Sequence, residues 1–589
     1  MGKKKNDFEV FDSGTKKEER PNRVPLPVSV GRLMHANWTP GAPPMPSDSE
    51  ETRYQQARKA LQATAPPMPS GSEETKYQQT IRKALQATDA MVVPLSLRHI
   101  CAMTKIVRED RLGRLPDDIL VNILDRLNVR EAVRTSVLAR RWLHLPTMLS
   151  RLTIDVRDFV AKPSTTCHGE EIERGNTTMV QVTKSILARR VSSPNKIRSM
   201  CMAFFLREDD IISIGQAVEY IMAFHTVDFE ITVFTEMDYT RCNQDDKINY
   251  GILFRLFVDS CPIAFGGVTR LCLENLRFGE SDIPNVLKVC KGLKHLSLSY
   301  CNAARGTIMK VEHSKLSELL IFNCCFEKVE LNSLPKLTWM IFGGWKSKDP
   351  LFLGYVPLLE AVSLSTVSLS HHKMVKLSEI FGGTSPRSLR LGFECERIWV
   401  QPESVTKKLS SVFHQLKFVN LDNIAEGCDL TWTLFILEAA PNLKELYLMV
   451  WDHLCIMTTN EEERRALSYS EKKGAEWKSP GPDFQHHSLD TLVIFGFQSD
   501  CMVRYVRRVM EAAVNLKDVF LYHRLNCMKC EHSYTNRPLK YPSNAEQKST
   551  VLKKLTRRIN SSATIHLPDD NITADQRAKK GILPKLRGC

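Results

Sequence analysis

Apolar residues recur along residues 268–521 in groups of three, in which the second lies three positions after the first and the third two positions later. The early groups are 21 to 25 residues apart and the later ones near 27, with one step of 46 from Leu443 to Leu489. This period is typical of leucine-rich repeats, whose units each supply a strand, a turn and a return segment. Because one unit cannot bury its own apolar residues, we expect the units to stack into a solenoid with the strands on its concave face. The groups are Val268-Leu271-Leu273, Leu293-Leu296-Leu298, Leu316-Leu319-Ile321, Leu337-Met340-Phe342, Leu359-Val362-Leu364, the weaker Leu389-Leu391, Leu416-Val419-Leu421, Leu443-Leu446-Leu448, Leu489-Leu492-Ile494 and Leu516-Val519-Leu521.

Other apolar runs extend this pattern on both sides. Upstream, residues 197–206 and 227–234 are predicted to be earlier strands of the same sheet. Downstream, the sequence predicts a strand that ends near Gly496, a helix over residues 503–513 and a strand over residues 516–521. The charged residues 461–478 fall inside the long step and are predicted to form an inserted loop.

Residues 115–145 show a helical period instead. Pro116 suits the first turn of a helix, and Asp117 and Asp118 then lie at its positive end. The apolar residues of this helix occupy adjacent positions, so one member of each pair can face a local core while the other faces elsewhere. Three helices in so short a segment are marginal alone, so we expect the outward members to be covered by the downstream domain or by another protein. These apolar residues are Ile119, Leu120, Ile123, Leu124 and Leu127.

Two further helical elements complete this unit. Asn128 is predicted to cap the second helix, with Glu131 as its reciprocal partner in a capping box. A third short element contains Trp142 and Leu145, and Pro146 ends it. The second helix supplies Ala132, Val133, Ser136 and Val137.

The unit resembles the F-box in its plant form. The resemblance rests on the sequences LPDDIL at 115–120, IL at 123–124, EAVRTSVL at 131–138 and RRW at 140–142, together with Leu127. It implies that this surface docks on a Skp-type adaptor and, through it, on a cullin ubiquitin ligase. The residues to which the resemblance gives an adaptor contact are Leu115, Pro116, Ile119, Leu120, Ile123, Leu127, Val133, Val137, Trp142 and Leu145.

The order of the units is similar to that of plant F-box/FBD/leucine-rich-repeat proteins, because residues 489–521 resemble the FBD domain. The fold class that we expect is α+β with α/β repeats: an N-terminal three-helix F-box, an irregular leucine-rich-repeat solenoid and a C-terminal FBD-like unit. The expected domains are a disordered leader at 1–105, the F-box at 108–152, the solenoid at 190–480, the FBD-like unit at 485–567 and a basic tail at 568–589.

The leader contains an internal duplication, since residues 42–64 and 65–88 differ by a few substitutions and one inserted residue. Each copy places a proline-rich stretch before a possible capping box, formed by Ser47 with Glu50 or by Ser70 with Glu73. The copies hold too few large apolar side chains to build a core. They are interpreted either as a duplicated docking peptide or as a tandem duplication without constraint.

Composition indicates a soluble protein of the cytosol or nucleus. Of 589 residues, 43% are hydrophobic and 25% charged, no apolar run approaches the roughly 20 residues of a membrane span, and no secretory signal is recognisable. The 17 cysteines are therefore expected to be reduced and mostly buried. Cys301 and Cys324 follow repeat strands, where we expect their side chains to pack against the turn. The histidine pairs at 371–372 and 486–487 are expected in solvent-exposed loops.

The net charge of +14 is uneven. Residues 537–589 contain twelve Lys or Arg against four Asp or Glu, which gives +8 for this segment. Such a tail can bind nucleic acid or act as a nuclear import signal, although a solvated terminus is the simpler interpretation. No nucleic-acid-binding motif accompanies the charge.

The sequence shows no sign of catalysis. Cys527 and Cys530 have the spacing of a zinc-binding pair, with His523 nearby, but no second pair follows, so no metal or cofactor is expected. Motifs of NTPases, serine hydrolases, zinc proteases and kinases are not present. The resemblance implies a non-enzymatic substrate-recognition subunit of an SCF-type E3 ubiquitin ligase, with an unknown target protein on the concave face. A repeat scaffold without a ligase role and a nucleic-acid binder remain as alternatives.

Overall fold

Most of the chain after residue 114 belongs to one repeat architecture in the computed structural model. The residues that the structure describes are 115–135, 140–160, 169–188, 190, 197–224, 228–345, 347–366, 374–395, 398–450, 452, 460, 462, 477, 480–524 and 541–568. The leader with its duplication, the histidine pair at 371–372, the Cys527–Cys530 pair and the tail after residue 568 lie outside them. So does most of the inserted loop.

Among the described residues, fourteen strands form a single parallel sheet in which strands that follow one another along the chain also lie side by side. Its strands are β1 (Arg151–Asp155), β2 (Ser199–Phe205), β3 (Asp228–Phe234), β4 (Val268–Glu274), β6 (His295–Ser299), β9 (Glu318–Phe322), β11 (Trp339–Gly343), β13 (Ala361–Ser365), β14 (Ser388–Gly392), β15 (Phe418–Ile424), β16 (Glu445–Val450), β17 (Thr491–Phe495), β18 (Asp518–Tyr522) and β19 (Thr564–His566). Each predicted apolar group coincides with one of these strands, which confirms the repeat prediction.

Helices and short strands lie between the sheet strands. The helices are α1 (Asp117–Leu124), α2 (Val129–Thr135), α3 (Gly169–Ala188), α4 (Glu208–Phe224), α5 (Gln244–Ser260), α6 (Pro262–Gly266), α7 (Asp282–Val289), α8 (Leu377–Phe381), α9 (Ser410–Phe413), α10 (Leu434–Ala439), α11 (Val503–Ala512) and α12 (Ala545–Thr556). Two smaller sheets consist of β8 (Ile308–Glu312), β10 (Lys328–Ser333) and β12 (Leu351–Tyr355), and of β5 (Arg277–Phe278) with β7 (Asn302–Ala303).

The apolar groups hold the sheet together because they stand in register. One row of directly paired, buried side chains crosses ten strands, and the alternate positions face the opposite side of the sheet, which we call the open face. Burying each large aliphatic side chain contributes about 1.5 to 3 kcal/mol. The row consists of Leu271, Leu296, Leu319, Met340, Val362, Leu389, Val419, Leu446, Leu492 and Val519.

A left-handed residue follows many of the strands, where the chain turns into its return segment. Asn275, Tyr300 and Asn323 have φ of 57°, 54° and 51°, and Gly344 has φ of 72°. Glycine is required at the last of these, because a Cβ on Gly344 would lie 2.1 Å from Oδ1 of Asn323. The regular position of these residues fixes where each repeat turns.

The sheet extends beyond the limits expected for the solenoid. It begins at β1, upstream of residue 190, and continues without a break through the FBD-like unit to β19. β1 has only two core-facing residues, Leu152 and Ile154, and the 20-residue helix α3 follows it, so the repeat spacing does not reveal it. The helix predicted over 503–513 is confirmed as α11, whereas α12 and β19 were not predicted.

Candidate functional site

The helical unit at 115–149 is joined by charged hydrogen bonds at its start. Nε and Nη2 of Arg141 donate to Oδ1 of Asp117 at 3.0 and 2.7 Å, and Nη2 also donates to the carbonyl oxygen of Leu115 at 2.8 Å. The hydrogen bond from Arg141 lowers the pKa of Asp117 below its ordinary value. Arg141 belongs to a 3₁₀ turn, Arg140–Leu143, so this contact fixes the third helical element against the start of α1.

A second set of bonds fixes the unit on the sheet. Asp125, directly after α1, accepts hydrogen bonds from the backbone nitrogen and hydroxyl of Ser150 at 2.8 and 2.6 Å and from the backbone nitrogen of Arg151 at 3.1 Å. Arg190 donates to the carbonyl oxygen of Pro146 at 3.1 Å, and burial lowers the pKa of Arg190 to about 10. The buried residues of α1 belong to the same continuous core as the repeat leucines, so the unit is not a separate module.

α1 and the turn that follows it present an exposed apolar surface that we call the α1 stripe: Ile119, Ile123 and Leu127. These side chains are 44%, 42% and 37% exposed and recur every four residues, while Leu120 and Leu124 are buried. The prediction that one member of each adjacent pair faces the core and the other does not is therefore confirmed. The solenoid leaves the α1 stripe uncovered.

The ten residues expected to contact an adaptor do not share one environment. Pro116 and the α1 stripe are exposed, and Leu115 and Val133 are half-buried against the core. Leu120, Trp142 and Leu145 are buried, so their expected contact role is corrected to one in the core. Leu120 faces inward because it lies one turn before Leu124, and Leu145 begins a 3₁₀ turn that packs beneath α1. Val137 lies outside the described residues.

Leu143 and Asn128 are two further residues of the helical unit whose surroundings bear on its prediction. No role is predicted for Leu143, although its side chain is 60% exposed. Its position next to the buried Trp142 was the available signal, because adjacent residues of a helical turn face different sides. Asn128 does cap α2, since its Oδ1 accepts from the backbone nitrogen of Glu131 at 2.8 Å. The carboxylate of Glu131 lies 3.3 Å from Arg134, so the structure shows the half of the predicted capping box in which Asn128 is the acceptor.

Cys301 and Cys324 are confirmed as packing residues of the turns. Both are buried, and their thiols approach the carbonyl oxygens of Ser299 and Phe322 at 3.4 and 3.5 Å. The expectation for His486 was wrong, because this side chain is 2% exposed and its Nε2 lies 3.0 Å from the carbonyl oxygen of Ala440. Burial lowers the pKa of His486 below its ordinary value, and its contact with Ala440 joins neighbouring repeats.

The open face carries polar side chains near its start and aromatic ones near its end. On β4 to β9, Nδ1 of His295 lies 2.8 Å from Oε2 of Glu318, and Arg270 is within 4.0 Å of the same carboxylate. Further along, Arg390 on β14 pairs with Asp422 on β15. A separate apolar cluster follows on β15 to β18 and consists of Phe418, Tyr447, Met449, Val493, Phe495, Phe520 and Tyr522.

The described part of the chain contains neither a candidate metal site nor a candidate membrane-spanning helix. Within it, no three His, Cys, Asp or Glu side chains are grouped as a metal site would need. None of the helices described there is both long and apolar enough to cross a bilayer.

Comparisons with known proteins agree with this architecture. The family model described as At1g61320/AtMIF1, LRR domain matches residues 261–559, and the F-box domain model matches residues 112–153. The F-box/LRR-repeat protein At2g42730 of Arabidopsis thaliana is 39% identical over 402 residues, which cover 62% of this chain and 84% of that protein. The F-box/FBD/LRR-repeat protein At3g52680 of the same plant is 24% identical over 58% of this chain and 72% of its own length. The F-box protein At1g80960, also of Arabidopsis thaliana, is 40% identical over 11% of this chain and 13% of its own length.

Proposed function

The chain belongs to the family of F-box/leucine-rich-repeat proteins, and on that premise we propose that it is the substrate-recognition subunit of an SCF-type E3 ubiquitin ligase. Its F-box docks on a Skp-type adaptor and thereby on a cullin, while the repeat sheet holds a target protein. The protein itself performs no chemistry. Ubiquitin transfer follows because the target is held close to the catalytic subunits.

The α1 stripe is the observation that supports this proposal most directly. Ile119, Ile123 and Leu127 form a contiguous apolar surface on a unit whose own core is complete without them. Burying such a surface against a partner is favourable in proportion to the apolar area removed from water. The hydrogen bonds that Asp125 accepts from Ser150 and Arg151 then fix the orientation of the docked F-box relative to the sheet.

A pair of single substitutions tests the docking surface. Ile123→Lys places a charge in the middle of the α1 stripe, and we expect it to abolish capture of a purified Skp-type adaptor. Asn122→Lys adds the same charge at the neighbouring exposed position outside the stripe and should leave most of the capture intact. Equal capture by both variants, or no capture by the unaltered chain, would leave the repeat scaffold as the better proposal.

We also propose that the protein acts in the nucleus, the cytoplasm or both, as its composition suggests. Imaging of the tagged full chain tests this directly. A signal confined to the secretory pathway would contradict it.

A further inference from the structure

The apolar cluster on the open face of β15 to β18 forms a surface outside the main core, which we call the aromatic platform. Its buried side chains pack on one another, because the sheet itself separates them from the repeat leucines. Phe418, Phe520 and Tyr522 pack against these buried side chains and remain half-exposed, so the platform offers accessible ring surface to another molecule. The buried part consists of Tyr447, Met449, Val493 and Phe495.

Ring stacking fixes the exposed part of the aromatic platform. The rings of Phe520 and Tyr522 are nearly parallel, with centroids 6.1 Å apart and 8° between their planes. Phe520 also stacks on the imidazole of His566 at 4.3 Å, and Tyr522 stacks on the buried Phe495 at 4.9 Å. Because each ring is held by its neighbours, binding on this surface costs little side-chain entropy.

Two carboxylates border the aromatic platform. Glu445 and Asp518 stand in the same row of the register with one strand between them, so they are about 10 Å apart along the row. The hydroxyl of Tyr447 donates to Oε2 of Glu445 at 3.0 Å, and Nε2 of His566 lies 2.8 Å from Oδ1 of Asp518, whose side chain is 40% exposed. Neither carboxylate forms an ion pair with a lysine or arginine of the described residues.

The open face as a whole is acidic, although the chain has a net charge of +14. At the strand positions that alternate with core residues, the described strands place eight Asp or Glu against three Arg, which gives −5 with neutral histidines. Lysines precede β15, β16 and β18, and Asp490 pairs with two of them, Lys444 and Lys517, at 3.6 and 3.2 Å. The open face therefore complements a cationic partner. The eight carboxylates are Asp155, Asp228, Glu230, Glu274, Glu318, Asp422, Glu445 and Asp518, and the arginines are Arg151, Arg270 and Arg390.

The chain itself shows how a cation fits this combination of ring and carboxylate. At the other end of the open face, the guanidinium of Arg157 lies 4.7 Å from the ring centroid of Phe234, and its Nη2 donates to Oδ2 of Asp155 at 2.6 Å. The ring face attracts the cation, and the carboxylate adds a charge-assisted hydrogen bond. Phe520 and Asp518 present the same two groups on the aromatic platform.

We propose that the aromatic platform binds a basic segment of the target protein. A lysine or arginine of this segment lies over the exposed ring of Phe520 or Tyr522 and bonds to Asp518. A second cation of the segment bonds to Glu445, and an apolar side chain packs on Phe418. This inference rests on the proposed function, since it names the chemistry of the target that the repeats hold.

Selection of displayed peptides by the purified full chain tests the inference. The probes are random dodecapeptides, and the affinity of each recovered peptide is measured by fluorescence anisotropy. We expect the recovered sequences to combine Lys or Arg with an apolar residue, and their binding to weaken as the salt concentration rises. Recovery of no peptides, or of acidic peptides, would overturn the inference.

Two matched double variants separate the aromatic platform from the general charge of the open face. Glu445→Gln with Asp518→Asn keeps the shape of both side chains and should weaken the binding of recovered peptides about tenfold or more. The control is Glu230→Gln with Glu318→Gln, which removes the same charge from the same face, where Arg270 lies within 4.0 Å of both carboxylates. It should leave binding nearly unchanged, and an equal loss in both double variants would refute the site.

A ring substitution and a competition complete the test. Phe520→Leu removes the ring face but keeps an apolar side chain, so it should weaken binding while the thermal midpoint stays close to that of the unaltered chain. Unchanged binding by this variant would show that the ring is not the contact. A synthetic peptide of the chain's own residues 568–589 should not displace the recovered peptides, and displacement would mean that the basic tail is the occupant instead.

Adaptor capture, measured on the same preparations, separates the two proposals. Retained capture without recovered peptides refutes the aromatic platform alone. Recovered peptides without capture refute the ligase role and leave the aromatic platform as a binding site.

Discussion

Asn420→Leu is expected to stabilise the free protein, although it replaces a buried residue in the middle of a strand. The side chain lies between Arg390 and Tyr447 in register, is 1% exposed, and forms no hydrogen bond within the described residues. Burying a polar group without a partner costs about 1 to 3 kcal/mol. Leucine has the same branching and the same number of side-chain heavy atoms but no polar atoms, so the substitution recovers part of that cost, about 1 kcal/mol.

The same substitution at Asn176 is the matched control. Asn176 is also buried, but its Nδ2 donates to the carbonyl oxygen of Phe205 at 2.8 Å and to Oδ2 of Asp210 at 2.7 Å, and its Oδ1 accepts from the nitrogen of Phe205. Asn176→Leu leaves these partners unpaired and should destabilise the protein by about 3 kcal/mol or more. Both variants are compared by urea unfolding of the full chain. If Asn420→Leu lowers the midpoint as much as Asn176→Leu does, the Asn420 amide has a hydrogen-bond partner and this reasoning fails.

Three further predictions concern stability. Burial, followed by the negative charge of Asp422, raises the pKa of Glu394 from 4.5 to about 7, while Arg390 lowers it by less. Between these two pH values the folded protein therefore holds a proton on Glu394 that the unfolded chain has lost. The stability contributed by protonated Glu394 therefore falls as pH rises from 4.5 to 7. Over that range the free energy of unfolding of Glu394→Gln should rise relative to that of the unaltered chain by at most about 3 kcal/mol. A difference that does not depend on pH would contradict this. Asp125→Ala removes three hydrogen bonds and should raise the rate of amide hydrogen exchange in residues 115–150 but not in β9 to β16. An equal change of the exchange rate in both regions would show that Asp125 does not join the F-box to the sheet. Leu389→Ala, at a fully buried position, should cost about 2 to 5 kcal/mol in urea unfolding, and a loss below 1 kcal/mol would place the repeat core elsewhere.

The sequence predicts the repeat strands well because their signal is local and repeated. In each unit, residues such as Leu296 and Leu298 must face one core, and the period shows where the next strand begins. β1 and β19 lack this signal: β1 is followed by a long helix, and β19 has three residues of which none is fully buried. The extent of the sheet therefore follows only from the register of the folded chain.

The F-box surface could be predicted in part for the same reason. A helical period identifies α1 and its two apolar faces, but it does not say which face the solenoid covers. The resemblance gives Leu120 and Leu145 an adaptor contact, whereas both side chains are buried in the core that they share with the sheet. Arg141 and Asp117 are 24 residues apart, so their bond could not be predicted from a local pattern.

The polar environment of Asn420 could not be predicted from the sequence. Arg390 and Asp422 lie 32 residues apart, and each is an ordinary polar residue in its own strand. Only the parallel register brings them beside each other. Whether the Asn420 amide finds hydrogen-bond partners depends on every side chain around it, and no sequence motif specifies that arrangement.

The affinity of the purified chain for a Skp-type adaptor tests the central claim most directly. Binding would bury the remaining exposed fraction of Ile119, Ile123 and Leu127, roughly 40% of each side chain, which is worth about 1 kcal/mol apiece. The triple alanine variant of the α1 stripe should therefore bind about a hundredfold more weakly by titration calorimetry. Triple alanine substitution of Ile263, Leu358 and Val514, which are at least as exposed but lie on the repeats, should leave the affinity unchanged. Equal affinities of the two triple variants would contradict the docking of the adaptor on α1.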